Sequence, residues 1–441
     1  MSAVREILTT MNKIELIQGN SYSKIRGLTT QQFRALRNIL SYETDPQAAY
    51  FSGGWRRKKY LIDKTGFFPT GLLYLVKKLF PDSIVLHLQS QPKNDNSLFK
   101  LNLPFKPHEW QQVATECAYL AERGGIIAPT GAGKSVVIAL IAARLGVRTL
   151  VVVPTLEIKK QLSESLLELL NGNPNVVVEN IDSKRLKTAK GFDCLIIDET
   201  HHAAASTYQS LNKTAWNDIY YRFFLTATYY RNQDNEQLLF EGIAGQPIYQ
   251  LTNKEAVNTG IIVPIEAYYI DLPKQPTEAF TWRQVYNELV VNNELRNNVI
   301  KRHLTLLSAN EKYALCLVKE IKHGQILSEL TGFPFANGQD EDSRQYIKQF
   351  NRGEIKVLIG TTGVLGEGID TKPAEYVIIA GLGKAKSAFM QQIGRVVRRY
   401  KDKESGKVVL FRDSSHKFLL RHFNQHRTIL KEELGIKLIK L

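Results

Sequence analysis

The chain predicts an α/β protein of two tandem domains, each a parallel sheet covered by helices on both faces, with a small basic domain in front. Three observations carry that expectation. From about Lys106 onward, short β-rich apolar runs alternate with stretches of helical periodicity. The alternation breaks off near residue 263 and then restarts. Residues 1–95 lack the rhythm and hold an excess of basic side chains.

The first series of strands reads GGIIAP (124–129), RTLVVVP (148–154), DCLIID (193–198) and RFFLTAT (222–228). These runs are apolar throughout rather than alternating, as expected of strands buried on both faces of a parallel sheet. The second series reads ALCLV (314–318), KVLIGTT (356–362), YVIIAG (376–381) and VVLFRD (408–413). Between the two, residues 273–308 carry Pro273 and Pro276 and then a long polar helical stretch. The polar run SQPKNDNS (90–97) reads as a linker. The expected domains are therefore 1–95, 96–262 and 263–441.

A chain of 441 residues, 43% hydrophobic and 23% charged, buries large cores and divides into two or three domains. Its formal net charge of +15 points to a polyanionic partner, nucleic acid first, although a merely basic surface has the same composition. The excess is concentrated at the front: residues 1–100 hold 15 Lys and Arg against 7 Asp and Glu. Cys117, Cys194 and Cys316 stand far apart, each beside apolar residues, with no CxxC pair. They read as reduced, buried thiols of a cytosolic protein. MSAVREILTT has no apolar leader region, and no run approaches the roughly 18 to 20 apolar residues that span a bilayer. Neither export nor a membrane is indicated.

The strongest motif is APTGAGKS (128–135), placed after an expected strand and before the helical run VVIALIAARL. In such a glycine turn, Pro129, Thr130, Gly131, Ala132 and Gly133 wrap the phosphates at a helix N-terminus, the backbone N–H groups of the four residues after the proline pointing at phosphate oxygens. Lys134 reaches the β and γ phosphates and Ser135 ligates Mg²⁺. The pattern predicts a nucleoside triphosphate, ATP, as ligand. Ala128 stands where the first glycine of the strict pattern would be.

The run DCLIIDETHH delivers Asp198 and Glu199 to the carboxyl end of a strand, the edge at which open parallel sheets bind ligands. Asp198 suits Mg²⁺, and Glu199 suits the polarising of the water that attacks the γ phosphate. An acidic pair in this position is often only a helix cap. Following a phosphate loop by about 60 residues, it gains meaning. In the second domain QQIGRVVRR predicts Gln391, Arg395 and Arg398 on successive turns of one helical face. Arginine there spreads γ-phosphate charge in a transition state, while a solvated basic helix is the plainer alternative.

With these three motifs in order, residues 100–415 resemble the superfamily 2 helicases, which implies two RecA-like domains sharing one ATP. The resemblance assigns Glu367 and Asp370 of GVLGEGID to the nucleotide, and Thr361 and Thr362 to the nucleic-acid backbone. LTAT (225–228) takes the place of the element linking hydrolysis to domain movement. Pro154 and Thr155 of VVVPTLEIKKQ take that of a phosphate-backbone contact. In HEWQ (108–111), Gln111 corresponds to the adenine reader, with Trp110 beside it. The box reads DETH rather than DEAD, and the last motif opens with Gln391 rather than His. These departures set the chain apart from the DEAD-box RNA helicases and nearer the XPB-like, restriction-translocase and phage UvsW-type enzymes. Compactness and NNELRNNVIKRH (292–303) favour the phage branch-migration type.

That resemblance implies an ATP-dependent DNA helicase or translocase that remodels branched DNA by branch migration, fork regression and unwinding, in replication, recombination or repair. It would be a monomeric motor of the cytoplasm, the host's if phage-encoded. The alternatives are an RNA-dependent ATPase and a nucleic-acid clamp that only binds ATP. In the basic domain, YFSGGWRRKKYLIDKTGFFPTGLLYLVKKLF (50–80) interleaves Arg56, Arg57, Lys58 and Lys59 with Trp55, Tyr60 and Phe67. The cations suit the phosphates of a duplex, whereas most of the aromatics are expected in the core. The loop GLGKAKSAF (381–389) offers Lys384 and Lys386 as strand contacts or as solvated side chains.

Overall fold

The structure is a computed structural model that describes residues 13–43, 58–95, 97, 99–198, 206–227, 229, 237–365, 371, 373–381, 383, 386–401 and 403–441. The chain divides into two compact units, one of Met1–Ala128 and Lys134–Gln250, the other of Pro129–Gly133 and Leu251–Leu441.

The expected α/β architecture is present in both. In the first unit six parallel strands run in the order Pro247–Gln250, Arg123–Ile127, Tyr221–Thr226, Cys194–Asp198, Thr149–Val153, Val176–Asn180. All five residues of Thr149–Val153 and of Cys194–Asp198 are buried, which is why those runs show no polar alternation. Gly125 lies in the strand interior because a β-carbon there would stand 2.0 Å from the Phe224 ring.

The second unit holds a seven-stranded sheet in the order Phe335–Ala336, Val357–Thr361, Ala314–Val318, Tyr376–Ile379, Gly406–Asp413, Ile265–Leu272, Leu438–Lys440. Ala314–Val318 shows the packing logic. Leu315 and Leu317 enter one core with Leu358, Val377 and Phe423, while Ala314, Cys316 and Val318 enter the other with Ile300, Leu304 and Val357. Each successive side chain is thus apolar for its own face.

Ahead of these sheets stands a small layer whose strands run in the order Phe67–Pro69, Tyr22–Arg26, Glu15–Gln18, Ile84–His87. Helices Thr30–Ile39 and Leu73–Leu79 cover one face of it with Leu36 and Val76. The first helix is closed by a capping box in which Thr29 and Gln32 satisfy each other's backbone N–H. Of the aromatics between residues 60 and 80, Phe68 and Phe80 enter the core, whereas Tyr60 and Phe67 stay exposed.

This layer shares its core with the first parallel sheet's own helix Gln237–Ala244: Leu238 packs among Leu16, Phe68 and Leu72. Gly71 meets Gly242 so closely that a β-carbon on Gly71 would stand 1.9 Å from the Glu241 carbonyl oxygen. Arg222, fully buried at the amino end of its strand, donates to the Ile219 carbonyl at 2.9 Å, the Asn212 side chain at 2.7 Å, the Ser21 hydroxyl at 2.6 Å and the Trp216 carbonyl. Burial holds its guanidinium well below the usual arginine range. The stretch expected as a linker is anchored: Gln91 donates to the Tyr221 hydroxyl at 2.9 Å, and that hydroxyl donates to Asn94 at 3.2 Å.

Cys194 and Cys316 are buried in central strands, and burial raises both thiols, that of Cys316 to about 12. Cys117 is only half-buried, a correction to the expectation, because its helix Glu109–Ala121 turns that flank partly to solvent. Among the described residues no helix is long and apolar enough to cross a membrane.

Candidate nucleotide and nucleic-acid sites

The residue pattern converges at the carboxyl edge of the first unit's sheet. Strand Tyr221–Thr226 lies between Arg123–Ile127 and Cys194–Asp198, with Thr226 paired to Ile127 and Leu225 to Asp198. The ends of three neighbouring strands therefore carry the start of the glycine loop, Thr226 and Asp198. Ala128 donates its N–H to the Thr226 carbonyl at 3.0 Å, continuing the ladder one residue past the strand. Ala128 is fully buried there, with its methyl group where the strict pattern has glycine.

Gly131 and Gly133 have φ of +83° and +91°, the left-handed region in which a side chain is strained. Ala132 donates to the Pro129 carbonyl at 3.2 Å within the same turn. Helix Lys134–Leu145 follows, fixed by Val137, Ile138, Ile141 and Ala142 in the core. Lys134 begins it, with its ammonium 3.4 Å from the Ala128 carbonyl, and Ser135 is half-buried on the same first turn. Asp198 is buried at the end of its strand. Glu199 and His201 lie outside the described residues.

Ser135 and Asp198 are hard oxygen donors, the type Mg²⁺ takes. Among the described residues no three His, Cys, Asp or Glu side chains gather as a metal cage.

Gln111 is the third residue of helix Glu109–Ala121, and its side-chain oxygen accepts the His108 N–H at 2.9 Å. It is buried, and Trp110 beside it stacks on Tyr249 with centroids 6.2 Å apart. Thr155 caps helix Leu156–Leu169, its hydroxyl oxygen accepting the Ile158 N–H at 3.3 Å, with Pro154 half-buried before it. Both residues thus have a structural role at a helix start.

In the second unit Thr361 ends a central strand and Thr362 opens the short helix Thr362–Leu365. Glu367 and Asp370 lie outside the described residues. The helix carrying Gln391 corrects the expectation: it spans Lys386–Ile393, so Arg395 and Arg398 lie beyond its end rather than on its face. Gly394 follows at once, and Arg395 and Val396 donate to the Gln392 and Ile393 carbonyls, both at 3.1 Å, in tightened turns. Val396 and Val397 are buried, and the Val397 carbonyl accepts the Val263 N–H at 2.8 Å.

Arg395 is buried and Arg398 half-buried. Two supports for this segment were not legible in the sequence. His426 of helix Lys417–Leu434 stacks on Phe389 with centroids 4.2 Å apart and bonds the Gly383 carbonyl at 3.2 Å. Lys386 pairs with Glu433 of the same helix. Of the four basic residues expected on a duplex, Lys58 and Lys59 are exposed on strand Lys58–Tyr60; Arg56 and Arg57, like Lys384 and Trp55, lie outside the described residues.

Residues 297–400 match the helicase conserved C-terminal domain, and residues 104–190 and 177–231 match the res subunit of type III restriction enzymes. The chain is a superfamily 2 helicase. As such it is a nucleic-acid-dependent ATPase.

Among its relatives is the DNA 3'-5' translocase XPB2 of Sulfurisphaera tokodaii, 25% identical over 67% of this helicase and 79% of that protein. The ATP-dependent DNA helicase uvsW of Enterobacteria phage T4 is 23% identical over 84% of this chain and 85% of its own. The helicase also shares its fold with S. cerevisiae Dbp5 bound to RNA and ADP BeF3, at 17% identity and a TM-score of 0.57, over 76% of this chain and 90% of that one.

Proposed function

We propose that this helicase is an ATP-driven motor on DNA that remodels branched duplexes by branch migration, fork regression and unwinding. The observation that carries the motor is the convergence of the glycine loop, Asp198 and Thr226 on neighbouring strand ends. The choice of DNA is supported by the relatives named as a DNA translocase and a DNA helicase, and by the basic N-terminal layer.

In this reading Pro129 shapes the turn, the N–H groups of residues 130–133 and the Lys134 ammonium bind the ATP phosphates, and Gln111 borders the adenine. Bound Mg²⁺, held by Ser135 and Asp198, would neutralise charge on the β and γ oxygens. Glu199 orients water and takes its proton, while Gln391, Arg395 and Arg398 stabilise the charge on the γ-phosphoryl group as it passes from ADP to water. Glu367 and Asp370 complete the nucleotide's surroundings. Pro154, Thr155, Thr361 and Thr362 hold a strand backbone, and Arg56, Arg57, Lys58 and Lys59 hold the duplex. Alternating grip during the ATP cycle then gives steps along one strand.

The test is steady-state ATP hydrolysis with no nucleic acid, single-stranded DNA, blunt duplex, a model fork and RNA, with Glu199→Gln as the blank. Strongest stimulation by the fork is expected. Equal or stronger stimulation by RNA would overturn the DNA assignment.

A further inference from the structure

Among the described residues the N-terminal sheet buries one face and leaves the other open. Leu16, Ile25 and Phe68 point into the core under the two helices. The opposite parity is read from the strand register. Phe67 pairs with Lys24, Lys24 with Ile17 and Ile17 with Leu86; in the next row Arg26 pairs with Glu15 and Glu15 with Ile84. Residues so paired share a face.

On that face Phe67 and Ile84 are each 42% exposed, Leu86 48% and Leu88 67%. A row of alternating apolar side chains on an edge strand is a hazard unless something covers it. Lys24 places its ammonium 4.7 Å from the Phe67 ring centroid, and Arg26 is exposed one step along the same strand.

The Phe67 ring is presented from a braced turn. The Asp63 carboxylate accepts the N–H groups of Thr65 and Phe67 at 2.8 and 3.0 Å and the Thr65 hydroxyl at 2.7 Å. At its other end the face runs up to the first unit's main body, where Tyr22 bonds Asn212.

We infer that this open sheet face, with Phe67 as stacking platform and Lys24 and Arg26 as phosphate contacts, holds a single strand of DNA. The charge complements a polyanion, since Glu15 is the one acid in those paired rows. The apolar area selects a strand whose bases are unstacked. A duplex hides its base faces and offers mainly phosphates, whereas a single strand lays bases on aromatic and aliphatic side chains without regard to sequence. The inference rests on the reading of the chain as a DNA motor and adds a second DNA contact, distinct from residues 56–59.

The experiment measures binding of a fluorescein-labelled oligothymidine and of a blunt duplex to the full chain over a range of salt. Phe67→Ala should weaken oligothymidine binding roughly 5- to 150-fold, the range expected for one stacked base, with its salt slope unchanged. Lys24→Glu with Arg26→Glu should lower that slope by about 1.4, at about 0.7 per phosphate contact on a single strand. Blunt-duplex affinity should stay at the wild-type value. A strand carrying 5-iodouracil should crosslink to the peptide containing Phe67 in the wild-type protein, which needs no variant to fold.

Unchanged oligothymidine binding by variants that melt like the wild type, an equal loss on the duplex, or absence of the crosslink would each overturn the inference. Failure of the motor reading is separate: no nucleic acid would then stimulate ATP hydrolysis by the wild-type chain.

Discussion

Gly71→Ala tests how firmly the N-terminal layer is joined to the first unit's parallel sheet. The new β-carbon would stand 1.9 Å from the Glu241 carbonyl oxygen and 2.8 Å from the Gly242 carbonyl carbon and oxygen. An unstrained carbon–oxygen contact needs more than 3 Å, so the turn Thr70–Leu72 and helix Gln237–Ala244 must part by about an ångström. Backbone faces backbone here, so no rotamer change relieves the clash. A gap of that size forfeits a quarter to a half of the dispersion energy across the Leu72–Leu238 contact and stretches the Tyr74–Glu241 hydrogen bond.

Overpacking of this kind costs about 1–3 kcal/mol, and the rigid partner places the variant near the upper end. For a unit of this size about 3 kcal/mol lowers Tm by roughly 6–12 °C. Differential scanning calorimetry reads the shift. Gly332→Ala serves as control: with nothing within 4 Å but a φ of +75°, it should cost only about 1 kcal/mol of backbone strain. A Gly71→Ala protein melting within a degree of the wild type would refute the account of the junction.

Acid should destabilise the second unit. Burial chiefly depresses His323 to about 3 and His426 to about 4, each below the unfolded value near 6.5. The unfolded chain therefore gains protons that the native chain refuses, and stability falls as pH drops through 6.5. Each His should cost roughly 2 kcal/mol between pH 7 and 5, measured by urea unfolding, and His426→Gln should flatten that slope. Lys134→Ala should lower kcat for ATP by about a hundredfold or more while DNA affinity holds; retained turnover would remove Lys134 from the phosphate site. Gly133→Ala should weaken nucleotide binding through strain at its φ of +91°, read by fluorescent-nucleotide titration. Reversing the charge of Arg56 to Lys59 should flatten the salt dependence of duplex binding by up to about 3.6, at 0.9 per phosphate contact, with the ATP site spared.

The fold class and the order of the motifs were determined by the sequence alone, because they depend on features local in the chain. Continuous apolar runs such as DCLIID mark strands buried on both faces, and glycines at 131 and 133 mark a turn that needs positive φ. What only the tertiary structure decided involves residues distant in the chain. That helix Lys386–Ile393 stops short of Arg395 depends on Val397 being drawn to Val263. Periodicity cannot register such a pairing. Likewise Trp216, Asn212, Ser21 and Arg222 meet only when the N-terminal layer closes on its neighbour. The outward parity of Phe67, Ile84 and Leu86 follows from which face of their sheet the helices cover. A strand sequence with apolar residues on both sides leaves that choice to packing, because either face can serve as core until a partner element buries one of them.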